Sequence, residues 1–490
     1  MNILTRFLLT FHRILGTLLC LLFFVWFASG LVMINHSRFP RIDQADRIAK
    51  FGQLDPSALP SPDSLRQMLP KQIEGLTLDN YLDLTAFHAK SGSETIDTPA
   101  DSTVSLPEMN WERINNVVAL WNTSPILKVD TLHKLDQWIP FGRNKAHLPV
   151  YKFYFDDQER HQMYVSSQTC EPIQYTDKES RFWAWLGPIP HWIYFTSLRQ
   201  NTELWCDVVI WLSGIGCLMV IAGLYLGVRD FRLARKRQAV TPFKKFWYKW
   251  HHLLGLFFGI FVLTFCFSGM MSLADVEDIG IRPKLEISPR EELRKMAPSP
   301  IDHPLDYRKV ISEYSSQLKQ LEWSSFGNIP LYVVHTADKD ITIDARLTEK
   351  VMPLDLTEED VKSVIAAIHG SEEMTVSFME EYDHYYLSRS GRLALPVWKV
   401  KIDDVDKSCW YVNPANGQSR YYNTPSRIGR WTYSALHSFS IKFLVDRPLL
   451  WNILMWGLMI IGLCISFSAI PLAVRYIVRL FRRYILHSKG

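Results

Sequence analysis

Four histidines of this chain recur in register with their neighbours. His12, Gly16, Ser29 and Gly30 reappear at the same spacing as His251, Gly255, Ser268 and Gly269, while His191, Trp205 and Gly216 reappear 246 positions later as His437, Trp451 and Gly462. Imidazole gives such pairing a chemical meaning: its neutral ring is a favoured axial ligand of haem iron, and two rings facing across a gap between helices can share one iron. His12 with His251, and His191 with His437, are therefore the candidate axial-ligand pairs. The plainer alternative is that a histidine beside Arg13 or Trp250 contacts lipid headgroups. His36 and His252 compete for the same roles; the residue matching His36 is Asp275, a carboxylate that would not complete a bis-histidine site, so His36 ranks below the symmetric pairs.

Other residue types offer less. Gly16, Gly30, Gly255, Gly259 and Gly269 would let a flat macrocycle approach the helix backbone, or merely let helices pack closely. The acid pairs Asp156 with Asp157 and Asp403 with Asp404, and the cluster Glu380, Glu381 and Asp383, are metal candidates whose plainer use is at strand ends and turns. The seven cysteines show no metal or redox spacing. Cys20, Cys206, Cys217, Cys266 and Cys464 fall in apolar runs and act as small hydrophobes. Cys170 and Cys409 lie outside those runs, where an oxidising compartment would permit a disulfide, but they do not occupy equivalent positions. No nucleophile–base triad, phosphate loop or nucleotide fingerprint appears, and nothing points to nucleic acid.

The elements that must position the histidines are membrane spans. Four runs, Ile14 to Ile34, Cys206 to Val228, Leu253 to Leu273 and Leu450 to Val474, are apolar over the roughly 20 residues a bilayer requires. The first is too long for a signal-peptide core and lacks a clean cleavage site, so it is expected to be retained. Lys and Arg concentrate on the cytoplasmic side of membrane proteins. The stretch between the second and third runs has eight cations against one Asp, and the C-terminal tail adds five with no acid. Both termini are thus expected inside and the two long segments outside, with one histidine pair near each membrane face. Trp205, Tyr248, Trp250 and Trp451 fit the interfacial aromatic belt. The spans have almost no ionisable residues at depth, which argues against an ion-coupled transporter.

The recurrence extends beyond the membrane. LPVYKFYFDDQERHQMYV (Leu148 to Val165) aligns without a gap to LPVWKVKIDDVDKSCWYV (Leu395 to Val412). An internal duplication follows, with parallel halves related by a pseudo-two-fold axis along the membrane normal. In the second half LTEEDVKSVIAAIHG reads as a helix capped by Thr357 and stopped at Gly370, followed by the strands WKVKI and CWYV and a turn at NPANG. In the first, the stretch from Ser91 to Ser105 reads as an exposed loop. The expected order is transmembrane helix 1 at 1–36, a periplasmic domain at 37–204, helix 2 at 205–228, a basic cytoplasmic loop at 229–249, helix 3 at 250–274, a second periplasmic domain at 275–447, helix 4 at 448–478 and a cytoplasmic tail at 479–490.

The segments WHHLLGLFFGIFVLTFCFSGMMSL, YDHYYLSRSGRLALPVWKV, WYVNPANG and RWTYSALHSFS resemble the PepSY-associated transmembrane proteins, also called iron-regulated membrane proteins. The resemblance covers all four spans and most of the second outer segment and weakens across about Phe51 to Ala146. It implies a four-helix transmembrane bundle, all α in the membrane, with two extracytoplasmic α+β PepSY-like domains. Members with an assigned role look like bacterial inner-membrane ferric-siderophore reductases carrying two b-type haems. The expectation is therefore haem b at two sites, an electron donor on the inner side facing the basic stretch Arg229 to Lys249, and a ferric siderophore reduced outside. The same basic stretch also suits anionic lipid. The competing class is a non-catalytic, membrane-anchored PepSY module that binds a protein or peptide.

Overall fold

The computed structural model describes residues 2–487 apart from 55–58, 93, 275, 278–279 and 371. Asp275, Ser93 of the expected 91–105 loop, and the last three residues of the basic tail lie outside the described residues. Four helices are long and apolar enough to cross a membrane: α1 (Ile3–Met33), α2 (Thr202–Arg235), α3 (Phe246–Met271) and α4 (Pro448–His487). Polar caps set two of the starts. The Asn2 side chain accepts from the Thr5 N–H and the Asn201 side chain from the Leu204 N–H, each satisfying a donor that an uncapped first turn leaves orphaned.

These helices overrun the apolar runs because nothing in the charged flanks breaks them. The connector between α2 and α3 shrinks from the expected 229–249 to 236–245, since Arg, Leu and Lys are good helix formers. For the same reason α4 continues through Arg479, Leu480 and Phe481 into what the sequence suggested was a tail. In the bundle α1 packs on α2 and α4, and α3 packs on the same two, so α1 and α3 face each other diagonally. Phe23 and Phe27 of α1, Met219 and Val220 of α2, Val262 and Cys266 of α3 and Met459 of α4 form its core.

The two long segments outside the bundle follow the same order of elements. The first has β1 (Gly75–Tyr81), β2 (Leu84–Ser91), β3 (Glu94–Pro99), a helix Trp111–Trp121, then β4 (Ile126–Leu132), β5 (Val150–Phe155), β6 (Gln162–Ser166) and β7 (Pro172–Thr176). The second has β8 (Leu318–Phe326), β9 (Ile329–Thr336), β10 (Asp340–Asp344), a helix Glu358–His369, then β11 (Met374–Met379), β12 (Val397–Ile402), β13 (Cys409–Val412) and β14 (Ser419–Tyr422). β4 to β7 and β11 to β14 are antiparallel meanders of four strands. The remaining six strands form one sheet in the order β10-β9-β8-β1-β2-β3.

That sheet crosses the boundary drawn between 37–204 and 275–447. β1 pairs antiparallel with β8, setting Leu76 opposite Trp323 and Leu78 opposite Leu321. Both segments bury side chains in the same core, Leu78 and Phe87 from one and Leu321, Tyr332 and Val334 from the other. The expected exposed loop at 91–105 is corrected as well: Glu94–Pro99 is the edge strand β3. Its residues 94–97 are all exposed, so no apolar alternation marks it as a strand. The capped helix and the strands of the second half stand as expected. Thr357 and Asp360 cap each other reciprocally, and Val361, Val364 and Ile365 are buried against Val400, Ile402 and Trp410.

Some local details recur between the segments. The Leu148–Pro149 and Leu395–Pro396 peptide bonds are both cis, and Arg160 and Lys407 both have a φ of 48°. Arg181 donates to the Arg160 carbonyl at 2.7 Å, and Arg427 to the Lys407 carbonyl at 2.7 Å.

Candidate histidine sites

At the end of the bundle that carries the chain termini, His12 of α1 and His251 of α3 face each other across the diagonal. Their ring centroids are 6.3 Å apart. Each ring is turned by its own neighbour helix. His12 Nδ1 lies 2.9 Å from the Met219 carbonyl of α2, and His251 Nδ1 lies 3.3 Å from the Ile465 carbonyl and 3.0 Å from Ser468 Oγ of α4. Met219 and Ile465 are themselves 246 positions apart. The rings border a cavity of about 300 Å³ whose wall includes Gly16, Gly223, Gly255, Arg13 and Arg479. The glycines there divide by role. A Cβ on Gly223 would come within 2.6 Å of His12 Cε1, so the bare backbone is what lets the ring pack. A Cβ on Gly255 would meet nothing within 4 Å, and one on Gly16 only the Met219 sulfur at 3.9 Å, so both leave open space beside the rings.

The second pair sits at the end facing the sheets, on short helices rather than on spans. His191 belongs to Pro188–Trp192, packed on α1, and His437 to Leu436–Ser438, packed on α3 after a π-helical turn at Arg430–Ala435. The centroids are 6.1 Å apart. His191 Nδ1 lies 3.2 Å from both Ser29 Oγ and the Trp26 carbonyl, and His437 Nδ1 lies 3.0 Å from Ser268 Oγ. Two residues after each histidine the chain turns left-handed, at Ile193 (φ 54°) and Phe439 (φ 48°). That conformation is strained for a side-chain-bearing residue, most of all a β-branched one, and persists only where the surroundings over-determine it. Here a tryptophan of the following span fixes each helix: Trp205 Nε1 donates to the Trp192 carbonyl at 2.7 Å and Trp451 Nε1 to the Ser438 carbonyl at 2.8 Å. The adjoining cavity, about 440 Å³, is lined by Gly30, Gly269, Trp26, Tyr433 and Arg389 among others.

The chemistry follows from the tautomers. A carbonyl only accepts, so a ring whose Nδ1 faces one carries its hydrogen there and keeps the Nε2 lone pair free. Among the described residues no Nε2 of the four histidines has a hydrogen-bond partner. Two imidazoles that each hold one metal through Nε2 at roughly 2 Å, with the nitrogen about 1 Å from its ring centre, put their centroids about 6 Å apart. Trp26 and Ser29, which touch His191, lie 14 and 17 residues beyond His12 on α1. At about 1.5 Å per residue this separates the two pairs by roughly 21 to 26 Å along the helix. Phe23, buried in the bundle core, borders both cavities.

The competing candidates go elsewhere. His36 stacks flat on Trp183 with centroids 3.7 Å apart, and His252 has its Nε2 3.1 Å from the Gly227 carbonyl. Asp157 accepts from Asn122 and His161, and Asp404 from the backbone N–H of Asp406 and Ser408, so the second acid of each pair builds a turn. Asp383 is tied to Lys399, Tyr411 and two backbone amides; burial alone would raise its pKa, but these partners outweigh it and hold the carboxyl below the usual range. Cys170 and Cys409 are both buried and free. Among the described residues no group of three or more His, Cys, Asp or Glu side chains gathers to hold a metal. No residue pattern pointed to Trp26 or Arg389 at the sheet-end cavity or to the Met219 and Ile465 carbonyls, whereas Ser29 and Ser268 were visible in the recurring spacing.

The family described as the PepSY-associated TM region matches residues 77–466. A search of the curated proteins found no match.

Proposed function

The chain belongs to the PepSY-associated transmembrane family, and on that premise we propose that it is a duplicated, haem-bearing electron-transfer protein of a bacterial inner membrane that reduces a ferric siderophore on the outer side. One observation carries the reading: two histidine pairs with centroids 6.3 and 6.1 Å apart, every Nδ1 held by a neighbour and every Nε2 without a partner among the described residues. Metal-ligating histidines characteristically have their other ring nitrogen fixed in this way. Two imidazoles supply only the axial positions of an iron, and a haem macrocycle would supply the remaining ligands. The open space beside Gly16 and Gly255 suits a flat ring, and Arg13, Arg479 and Arg389 at the cavity walls suit its carboxylates. Haem b, when bound, supplies a one-electron couple at each site. The protein's own part is to orient the four imidazoles, to exclude water with the tryptophans of the sheet-end cavity, and to keep Phe23 packed between the two sites.

Reduction of a ferric chelate weakens its hard-oxygen coordination, so one electron moved outward is enough to release the metal. The basic connector between α2 and α3 and the basic end of α4 support a cytoplasmic assignment of the termini end, where a donor would dock. The recurring contacts, at offsets of 239 to 247 positions, support an internal duplication and a pseudo-two-fold axis passing between α1 and α3.

The detergent-purified protein should have a Soret band and sharp reduced α and β bands. His12→Ala and His251→Ala should each remove or convert to high spin the same spectral component, with the double variant little worse than either, because residues acting on one iron are non-additive. His191→Ala and His437→Ala should do the same to the other component, while His36→Ala and His252→Ala leave both. A colourless protein from haem-replete cells would sink this reading in favour of a binding module. A cysteine introduced at Asn416 should react with an impermeant thiol reagent in spheroplasts and one at Gln238 should not; the reverse pattern would invert the orientation.

A further inference from the structure

Away from both histidine cavities, a cleft of about 980 Å³ opens between the six-stranded sheet, the helix Pro289–Met296 and the β11 to β14 meander. Four arginines reach it, Arg290 and Arg294 from the helix, Arg392 from the loop before β12 and Arg420 from β14. The two carboxylates that share the cleft are already occupied. Glu74 pairs with Arg294 at 3.2 Å and Glu322 with His335 at 3.1 Å. Among the described residues Arg290, Arg392 and Arg420 therefore have no carboxylate partner, and three exposed guanidiniums border one concavity without a counter-charge. Such an arrangement concentrates anions in the cleft.

Aromatic rings form part of the remaining wall. Trp323, Tyr386 and Tyr421 line it, and both tyrosine hydroxyls are engaged within the protein, Tyr386 donating to the Ala394 carbonyl and Tyr421 meeting Ser408 Oγ, each at 2.8 Å. What they offer a ligand is ring surface, chiefly at the half-buried Tyr421, since Trp323 and Tyr386 are each only 5% exposed. His303 also borders the cleft with its buried Nδ1 unpartnered, and burial pushes its pKa down to about 4, so a neutral imidazole lacks a partner there. The size falls within the roughly 300 to 1,000 Å³ of small-molecule sites. The cleft also adjoins the sheet-end site. Arg389, three residues before Arg392, lines that cavity with its guanidinium 3.9 Å over the Trp451 ring, and three residues span at most about 10 Å. One loop thus forms a wall of both.

We propose that this cleft binds a small, multiply anionic metal chelate with aromatic rings, of the ferric tris-catecholate class, and holds it beside the sheet-end histidines. Planar guanidiniums bind paired oxygens through two parallel hydrogen bonds and also stack on aromatic rings, which a catecholate presents together. The proposal rests on the electron-transfer reading for its purpose but not for its test. Gallium(III) matches ferric iron in charge and coordination and is not reduced, so its complexes report binding alone. Titrated calorimetrically into the full-length protein in detergent, trianionic gallium(III) tris-catecholate should bind saturably and more weakly as salt rises. The neutral gallium(III) complex of a linear tris-hydroxamate should bind at least about tenfold more weakly. Arg392→Ala and Arg420→Ala should each cost about tenfold for the trianion, the scale of a lost charge-assisted hydrogen bond, with unchanged melting temperature and absorption spectrum. Equal binding of the neutral complex, no saturable binding of the trianion, or full affinity in folded arginine variants would overturn the assignment. A colourless protein that still binds the gallium trianion would sink the haem reading and keep this one; a haem protein that does not bind it would do the opposite.

Discussion

At the scale of single residues, the two sites are specified less by the histidines than by what fixes them. His12 is pinned through the Met219 carbonyl, His251 through the Ile465 carbonyl and Ser468, His191 through Ser29 and the Trp26 carbonyl, and His437 through Ser268. The glycines around His12 separate two effects that look alike in sequence. Gly223→Ala places a methyl 2.6 Å from the His12 ring and must push it off the Met219 carbonyl, so it should disturb only the spectral component that His12→Ala removes. Gly255→Leu touches no protein atom at Cβ and instead grows into the open space beside the rings. It should lower haem content at that site while leaving the apoprotein's melting temperature unchanged. If Gly255→Leu lowered the apoprotein's melting temperature, the space would be ordinary packing. The histidines, serines and glycines were legible because identity at fixed spacing survives in the sequence. The carbonyls of Met219 and Ile465 were not, since any residue supplies a carbonyl and only the fold decides where it points.

Among the elements, what escaped the sequence is whatever depends on distant partners or lacks periodicity. The capped helix at Glu358–His369 and the strands β12 and β13 carry local signals and were read correctly. The edge strand β3 and the β1 to β8 pairing carry none: the first is exposed over Glu94 to Asp97, and the second joins residues more than 200 positions apart. A charged contact binds β3 to that sheet. His88 of β2 bridges Asp79 of β1 at 3.3 Å and Asp97 of β3 at 2.7 Å. Burial by itself would lower the imidazole's pKa, but the two carboxylates outweigh it and push it up to about 10. A folded-state value above the unfolded 6.5 stabilises fully below pH ~6.5, and that contribution falls away as pH rises through the window to about 10. The melting temperature of His88→Gln should therefore lie furthest below the parent near pH 6 and converge on it by about pH 10. A gap independent of pH would mean that His88 acts by packing alone.

For the molecule as a whole, the diagonal placement of α1 and α3 makes each site a joint product of both halves. Each pair takes one histidine from before residue 240 and one from after it. Outside the bundle the centre of the six-stranded sheet is likewise a seam between them, with Leu78 against Leu321 and a common core on either side. In the bundle α1 packs extensively on α4, again across the halves. On the haem reading, half-chains 1–240 and 241–490 should be colourless when expressed separately, because each would supply one imidazole per iron and exposes an unpaired central strand. Expressed together they should associate and recover both spectral components. Leu78→Asp in the first half-chain should then abolish recovery at both sites at once, since a charge at the buried seam separates the pieces before either histidine pair can close. A monomeric half-chain with a complete low-spin spectrum would show instead that one half alone supplies both axial ligands, and the pairing across the diagonal would have to be abandoned.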